Sequence, residues 1–360
     1  RSRAPGTYEA YPDDLVPLLL SLATQAAVCL KANHLTASIR KLFEDFAQAA
    51  IFAVEQRDPT TAGHSNRVST LSVQLARLVD GADDGPYAGV TFSREELREI
   101  GTAALLHDFG KISVPEHVLV KARKLSDGGL AKIRDRFDVS LASEEAREAR
   151  ALLERCARQG GRVTAGDLAA LDAGAAARAR EIEDLFGEIV AANEPTVLEE
   201  EVRGRLEELL TRSYHDSRGR EATLLLPEEF RLLSITKGSL SEDERLAIES
   251  HVSHTWRFLL TIPWTPDLAR VPEIAFAHHE KLDGTGYPRG LTRADIPPAV
   301  RALTVCDVYD ALTASDRPYK RALRRDAALD ILEEEAKRDR LDSWMVSAFI
   351  EGKVWTSLAP

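Results

Sequence analysis

The side chains best suited to chemistry are histidines and a few aspartates, and their placement matters more than their number. Of nine histidines, three fall in two pairs: His107 beside Asp108, and His278 beside His279. Each pair closes an apolar run, Ile100–Leu106 in one case and Ile274–Ala277 in the other, and each is followed by a Gly-containing loop. Adjacent residues on a helix point about 100° apart, so such a pair can straddle a cleft and reach one or two metal ions. Imidazole and carboxylate buried at the mouth of an apolar helix are costly unless paired or metal-bound. His64 shares a stripe with Val68, Leu71 and Leu75, and Asp307 shares one with Val300, Leu303, Ala311 and Ala314, so both face inward. His251 and His254 precede Phe258 on the inner face of another helix, and either can project inward. Imidazole mixed with carboxylate, without a thiolate cluster, suits Fe, Mn or a catalytic Zn better than a structural zinc site. A carboxylate such as Asp108 can bridge two ions, whose shared water would ionise near neutral pH and attack phosphorus.

The elements that must hold these groups read almost entirely as helices. Leu, Ala, Glu and Arg dominate, and Gly and Pro fall at intervals that suit helices of two to five turns. A long helix is expected from about Pro17 to Glu55, with Leu30, Leu35, Ile39, Leu42, Phe43, Phe46 and Ile51 as its apolar stripe. Further helical segments are expected at about 64–79, 94–108 and 115–125. Between Leu141 and Leu210 the composition shifts to Ala-rich, acidic sequence with apolar residues at helical spacing. This reads as a solvated helical hairpin or coiled-coil-like excursion, divided at Gly160-Gly161 and at Asn193-Glu194-Pro195. Compact helical segments resume at about Leu226. The expected fold is therefore all-α, one helical domain interrupted by an insertion.

Length and charge narrow the function classes. Three hundred and sixty residues allow two domains, or one with attachments. Lys and Arg total 47 against 58 Asp and Glu, a net charge of −11. That balance argues against nucleic-acid polymers and anionic membranes as partners, while leaving room for a small anionic ligand. Cys29, Cys156 and Cys306 are odd in number and widely spaced, which points to a reducing, cytoplasmic compartment rather than a disulfide framework. The apolar run Leu15–Leu30 is interrupted and short for a bilayer span. No secretory signal precedes it, and the only Met is Met345, so the sequence reads as a piece of something longer.

Several stretches together resemble the HD-GYP family of HD-domain phosphohydrolases. They are Arg57-Asp58-Pro-Thr-Thr61-Ala-Gly-His64-Ser-Asn-Arg67-Val68, His107-Asp-Phe-Gly-Lys111, His278-His279-Glu-Lys-Leu-Asp-Gly-Thr-Gly286-Tyr287-Pro288, and Asp307-Val-Tyr-Asp310-Ala311-Leu312 leading to Asp316-Arg317-Pro318-Tyr319-Lys320. They cover about 46–126 and 226–345 in the family's order. A second His-Asp pair, His215-Asp216, lies in a polar stretch without an apolar stripe and reads as a surface loop. Leu22–Leu30 resembles the last helix of GAF sensor domains.

The resemblance implies an HD-domain helical bundle in which two divalent ions share a bridging hydroxide and hydrolyse cyclic di-GMP to the linear dinucleotide, and further to GMP. Iron or manganese is expected, with Zn, Ni or Co as alternatives. One ion would be held by His64, His107, Asp108 and Asp307, and the other by Asp108, His251, His278 and His279. Relatives with a third metal carry Glu four residues before the first His; Thr60 stands there, so two ions are expected. Asp108 and Lys111 would be catalytic. Asp58, Lys111, Tyr287, Arg317 and Lys320 would contact substrate, the last two through its phosphates. The expected organisation is a helical linker at 1–45, core at 46–126, insertion at 127–226 and core again at 227–360. The insertion leaves 251 − 108 = 143 residues between Asp108 and His251, so its ends must lie close together in space. Alternatives are hydrolysis of another nucleotide, such as a mixed GMP–AMP cyclic dinucleotide, or a catalytically silent receptor. An upstream sensor domain, and a homodimer through the N-terminal helix or the insertion, are the expected partners.

Overall fold

The computed structural model describes residues 12, 14–57, 63–216, 218–314 and 322–358. It is helical nearly throughout. In chain order the helices are α1 (Val16–Glu55), α2 (His64–Asp80), α3 (Arg94–Leu106), α4 (Glu116–Leu119), α5 (Asp127–Gln159), α6 (Ala165–Asn193), α7 (Glu200–Glu208), α8 (Pro227–Leu233), α9 (Glu242–Leu259), α10 (Val271–Phe276), α11 (Pro298–Thr313), α12 (Arg325–Lys337) and α13 (Ser343–Glu351). A tight 3-10 turn, Phe109–Ser113, follows α3. Between α7 and α8, β1 (Ser213–His215) and β2 (Glu221–Thr223) form an antiparallel hairpin, Tyr214 opposite Ala222.

Start signals written in the sequence set the helix boundaries. Ser93 with Glu96, Thr164 with Asp167, and Ser241 with Glu244 form reciprocal capping boxes for α3, α6 and α9, which satisfy amide groups that a helix leaves unpaired at its front. α5 ends at Gly160 in a left-handed conformation that glycine adopts without penalty.

Two apolar cores result. The first gathers residues of 47–106 and of 259–354, with α2 against α3, α11 against α2, and α9 against both α10 and the Phe109–Ser113 turn. The second is built within Leu125–Leu233, where α5 and α6 pair and Ile133, Phe137 and Ile189 are fully enclosed. The chain leaving the first core runs beside the chain returning to it. Lys121 pairs with Glu244 at 2.7 Å, Ser239 donates to the Lys121 carbonyl, and the buried Lys124 ammonium donates to the Leu233 carbonyl at 3.0 Å.

Three local expectations change. The segment expected as helix 115–125 is helical only at Glu116–Leu119, because the chain must turn after it to meet the returning strand of sequence. His215-Asp216 is not in a plain loop: His215 ends β1 and is exposed, while Asp216 closes the hairpin by accepting from the Arg218 and Arg220 amides. The single stripe expected on α1 divides between two faces. Phe43 meets Trp264 edge-on, with centroids 5.6 Å apart, and Ile51 is buried, whereas Leu30, Leu35, Ile39, Leu42 and Phe46 lie exposed. At 40 residues, with a mean hydropathy of 1.3 in its most apolar stretch, α1 has the length and composition to cross a bilayer, which Leu15–Leu30 alone lacks.

Candidate metal centre

Seven side chains from five places in the fold converge on one pocket. His64 opens α2, His107 and Asp108 follow the end of α3, His251 lies in the third turn of α9, His278 and His279 follow α10, and Asp307 comes from α11. Their donor atoms form two groups, His64 with His107 and Asp307, and Asp108 with His251, His278 and His279, each compact enough to enclose a cation. Asp108 faces both. Its Oδ2 lies 3.7 Å from His64 Nε2 and 3.4 Å from His107 Nε2, while its Oδ1 lies 3.1 Å from His251 Nε2 and 3.9 Å from His278 Nε2. Asp307 Oδ1 closes the first group, 3.2 Å from His64 Nε2 and 3.7 Å from His107 Nε2.

The imidazoles are aimed from behind. Nδ1 of His107, His251 and His278 each donates to a carbonyl three residues earlier, of Ala104, Ile248 and Ala275, at 2.6–2.7 Å. A carbonyl only accepts, so Nδ1 carries the proton and Nε2 turns its lone pair into the pocket. Those three Nε2 atoms are buried without a hydrogen-bond partner. Orphaned acceptors of this kind are costly in an apolar interior, and a divalent ion is the partner that lone pairs on neutral imidazole and flanking carboxylates fit. His64 is backed differently: its Nδ1 lies 2.7 Å from Asp310 Oδ2, and Arg67 donates to both oxygens of Asp310 at 2.7 and 3.0 Å.

Charge in the pocket is prepared for cations. Burial opposes ionisation of Asp108, but neighbouring positive charge, the Lys111 ammonium first, holds the carboxyl well below its usual range. Asp307 is held low in the same way, burial being outweighed by His107 and His64. Burial pushes the His278 imidazole down and the His279 imidazole to about 4, so both are neutral and able to ligate at pH 7. His64 moves the other way: burial would lower it, yet hydrogen bonds to Asp307 and Asp310 raise it to about 9. Lys111 Nζ sits 2.6 Å from Asp108 Oδ2, at the edge of the pocket.

Close packing fixes the two halves of the site together. A Cβ on Gly110 would lie 2.0 Å from the His251 carbonyl and 2.5 Å from the Thr255 amide, so only glycine lets the Phe109–Ser113 turn press against α9. Thr255 then accepts from the Gly110 amide and donates to the His107 carbonyl, and Phe109 stacks on Phe258 at 3.8 Å. From the other side, the Glu55 carboxylate at the end of α1 accepts from the Gly63 amide at 3.0 Å and the Ser65 amide at 3.4 Å, capping α2 where Gly63 has no side chain to do so. Arg57 donates to the carbonyls of Ile112 and Val114. The loop after His279 is tied by Glu280, 2% exposed, which accepts from the Arg289 and Leu291 amides. A Cβ on Gly286 would stand 2.3 Å from the Lys281 amide; this tight fold brings the Tyr287 ring within 4.8 Å of His279.

All seven residues expected as metal ligands thus lie around one pocket, with Lys111 and Tyr287 at its edge. His254, the other candidate on α9, belongs to neither donor group. Asp58, Arg317 and Lys320 lie outside the described residues. Sequence reading gave no role to Asp310, Arg67, Thr255 or Glu55. Asp310 carried a signal: it follows Asp307 by three positions on a helix buried on nearly every side, as Arg67 follows His64.

An all-α bundle that brings a His-Asp pair together with further His and Asp side chains from neighbouring helices is the arrangement of an HD domain, and residues 221–344 match the HD domain family. That stretch supplies His251, His278, His279 and Asp307; the fold brings His64, His107 and Asp108 to it. The relatives that it matches in part are named as cyclic-dinucleotide phosphodiesterases. Over 97 residues it is 45% identical to 3′3′-cGAMP-specific phosphodiesterase 3 of Vibrio cholerae, covering 27% of this chain and 20% of that protein. Over 84 residues it is 43% identical to a cyclic di-GMP phosphodiesterase of Pseudomonas aeruginosa, covering 23% and 20%. Over 117 residues it is 40% identical to the cyclic di-GMP phosphodiesterase response regulator RpfG of Xanthomonas campestris, covering 32% and 30%. The chain therefore spans less than a third of the length of each of these relatives.

Proposed function

We propose that the chain is a metal-dependent phosphodiesterase that opens a cyclic dinucleotide, cyclic di-GMP in the first instance, to the linear form and onward to GMP. The observation that carries this reading is the placement of Asp108, one oxygen toward each of two histidine-rich donor groups. Two divalent ions, Fe or Mn by donor type, would be held by His64, His107, Asp108 and Asp307 and by Asp108, His251, His278 and His279; they would supply Lewis acidity and acidify water near neutral pH. The protein's own part is positional and electrostatic. Neutral His278 and His279 leave lone pairs available, the low carboxyls of Asp108 and Asp307 stay ionised, and the enclosing core keeps competing water out. Lys111, beside Asp108, holds an ammonium where a phosphate oxygen or the leaving 3′-oxygen would come to rest, and can donate its proton there. Tyr287 walls the pocket beside His279. Asp58, Arg317 and Lys320 remain the candidates for contacting base and phosphates.

A mixed GMP–AMP cyclic dinucleotide is the second substrate reading, favoured by three relatives whose names specify 3′3′-cGAMP. The reading extends to a cytoplasmic enzyme with a sensor domain upstream, a catalytic core formed by 46–126 and 227–360, an arm at 127–226, and a self-association surface on α1 or the arm.

The test is chromatography of products from cyclic di-GMP and 3′3′-cGAMP, with metal analysis of the same preparation. Asp108→Ala is expected to lose bound metal and at least 100-fold in turnover, since it removes a ligand common to both ions. Unchanged turnover in that variant rejects hydrolysis at this site. Tight binding of a cyclic dinucleotide without any product, in fully metallated protein, would favour a receptor.

A further inference from the structure

α1 is anchored only over its last third. Ala47, Ile51 and Val54 are its buried residues and Phe43 packs on Trp264, while the helix before them stands clear of the described molecule. On a different face, Leu18, Val28, Leu35, Ile39, Leu42 and Phe46 are 56–70% exposed. Their spacing is regular: Val28, Leu35 and Leu42 recur every seven residues, as do Ile39 and Phe46. Together with Ala32, Ala49 and Ala53 they alternate by four and three from 28 to 53. A strict 3.5-residue period is the seam of a two-stranded coiled coil, narrower than the 3.6-residue stripe by which a helix lies on a globular core.

We propose that this seam binds a second copy of the same chain, α1 pairing with α1 in parallel. Charge permits it. In a parallel pair the positions flanking the seam place Lys31 opposite Thr36 of the other copy and Asp45 opposite Ala50, so no like charges meet. Layer sizes permit it too, since each layer meets itself: small Ala49 and Ala53 layers lie next to the two bodies, and larger Leu35, Ile39, Leu42 and Phe46 layers further out. From Val28 to Ala53 the seam is about 38 Å long, enough for roughly the 800 Å² per partner of a standard stable interface. A bilayer suits the first half of α1 by length and composition, but fits the seam itself poorly, because Lys31, Arg40, Lys41, Glu44 and Asp45 all fall between Val28 and Ala53. The pairing does not depend on the chemistry proposed for the metal centre.

Sedimentation equilibrium of the full chain, wild type against Leu35→Glu/Leu42→Glu and against Leu30→Glu, tests it. Leu30 is 70% exposed but off the seam. A dimer in the wild type and in Leu30→Glu, with association weakened at least 100-fold in the double variant at unchanged helix content, is the expected result. In a Cys29→Ser/Leu42→Cys variant, oxidised glutathione should link the two copies through residue 42. A monomeric wild type, equal effects of the seam and off-seam changes, or a dimer that fails to cross-link at 42 overturns the proposal. So does recruitment of the wild type to phosphatidylcholine–phosphatidylglycerol vesicles that the double variant abolishes.

Discussion

His64 and Asp310 show how a candidate ligand is held from behind. The Asp310 carboxylate fixes the His64 ring, and Arg67 fixes Asp310 in turn. A hydrogen-bonding carboxylate at the far nitrogen sets the tautomer and raises the basicity of a ligating imidazole. Asp310→Asn is therefore expected to weaken metal at the His64 group by about 10–100-fold, while the His251–His278–His279 group keeps its ion; titration with a chromogenic chelator would show one tight and one weakened equivalent. The raised imidazole has a second consequence. In metal-free protein His64 titrates near 9 against about 6.5 unfolded, so its stabilising contribution is full below pH 6.5 and is lost as pH rises through 9. A metal ion must displace the same proton. Metal affinity is thus expected to rise across pH 7–9 while the melting temperature of metal-free protein falls, and calorimetry in buffers of different ionisation enthalpy should show about one proton released by His64 on binding near pH 7.5. His107, Asp108, His278 and His279 were legible by their position at the ends of apolar runs and His64 and Asp307 by their apolar stripes, whereas the choice of His251 over His254 rested on the family resemblance alone. Asp310 and Arg67 were harder to single out, because an Asp or Arg on a helix has many solvated uses and only three-dimensional proximity separates this one.

Among the elements, the contact between the Phe109–Ser113 turn and α9 matters most, since it joins Asp108 to His251. Gly110→Ala would force a methyl group into the His251 backbone, and is expected to cost about 1–3 kcal/mol of stability by overpacking. The loss should fall on metal content as well as on the urea midpoint, because α9 cannot retreat without moving His251. Helical periodicity made α2 and α3 readable to within a residue or two, and the breaks at Gly160-Gly161 and Asn193-Glu194-Pro195 marked the ends of α5 and α6; α9 was expected without bounds. The short α4 was not readable, because the chain stops being helical there to pair with the segment returning from the insertion, a tertiary demand with no local signal. Expecting one apolar stripe merged the two faces of α1, since residues that meet Trp264 and residues left exposed are equally apolar.

At the scale of the molecule, 143 residues separate Asp108 from His251 in sequence, yet their side chains lie 3.1 Å apart. The stretch that intervenes carries its own apolar core, and its helices are cross-tied, as where Arg178 forks onto Glu148 at 2.6 and 2.7 Å. A protease site inserted between the exposed Gly160 and Gly161 should therefore be cleavable without loss of metal, the two fragments eluting together on size exclusion. That the arm returns to its starting point followed from the order of motifs along the chain. Its hairpin at Ser213–Thr223 did not, since three-residue strands are too short to show a period.

Glu55 is the final residue of a 40-residue rod, and its carboxylate grips the amides that bracket His64; two residues on, Arg57 holds the stretch just beyond Lys111. Any torsion applied at the far end of that rod would reach, through those hydrogen bonds, both the surroundings of the His64 imidazole and the Lys111 ammonium beside Asp108. An input some 60 Å away is geared directly to the place where phosphate would be cut.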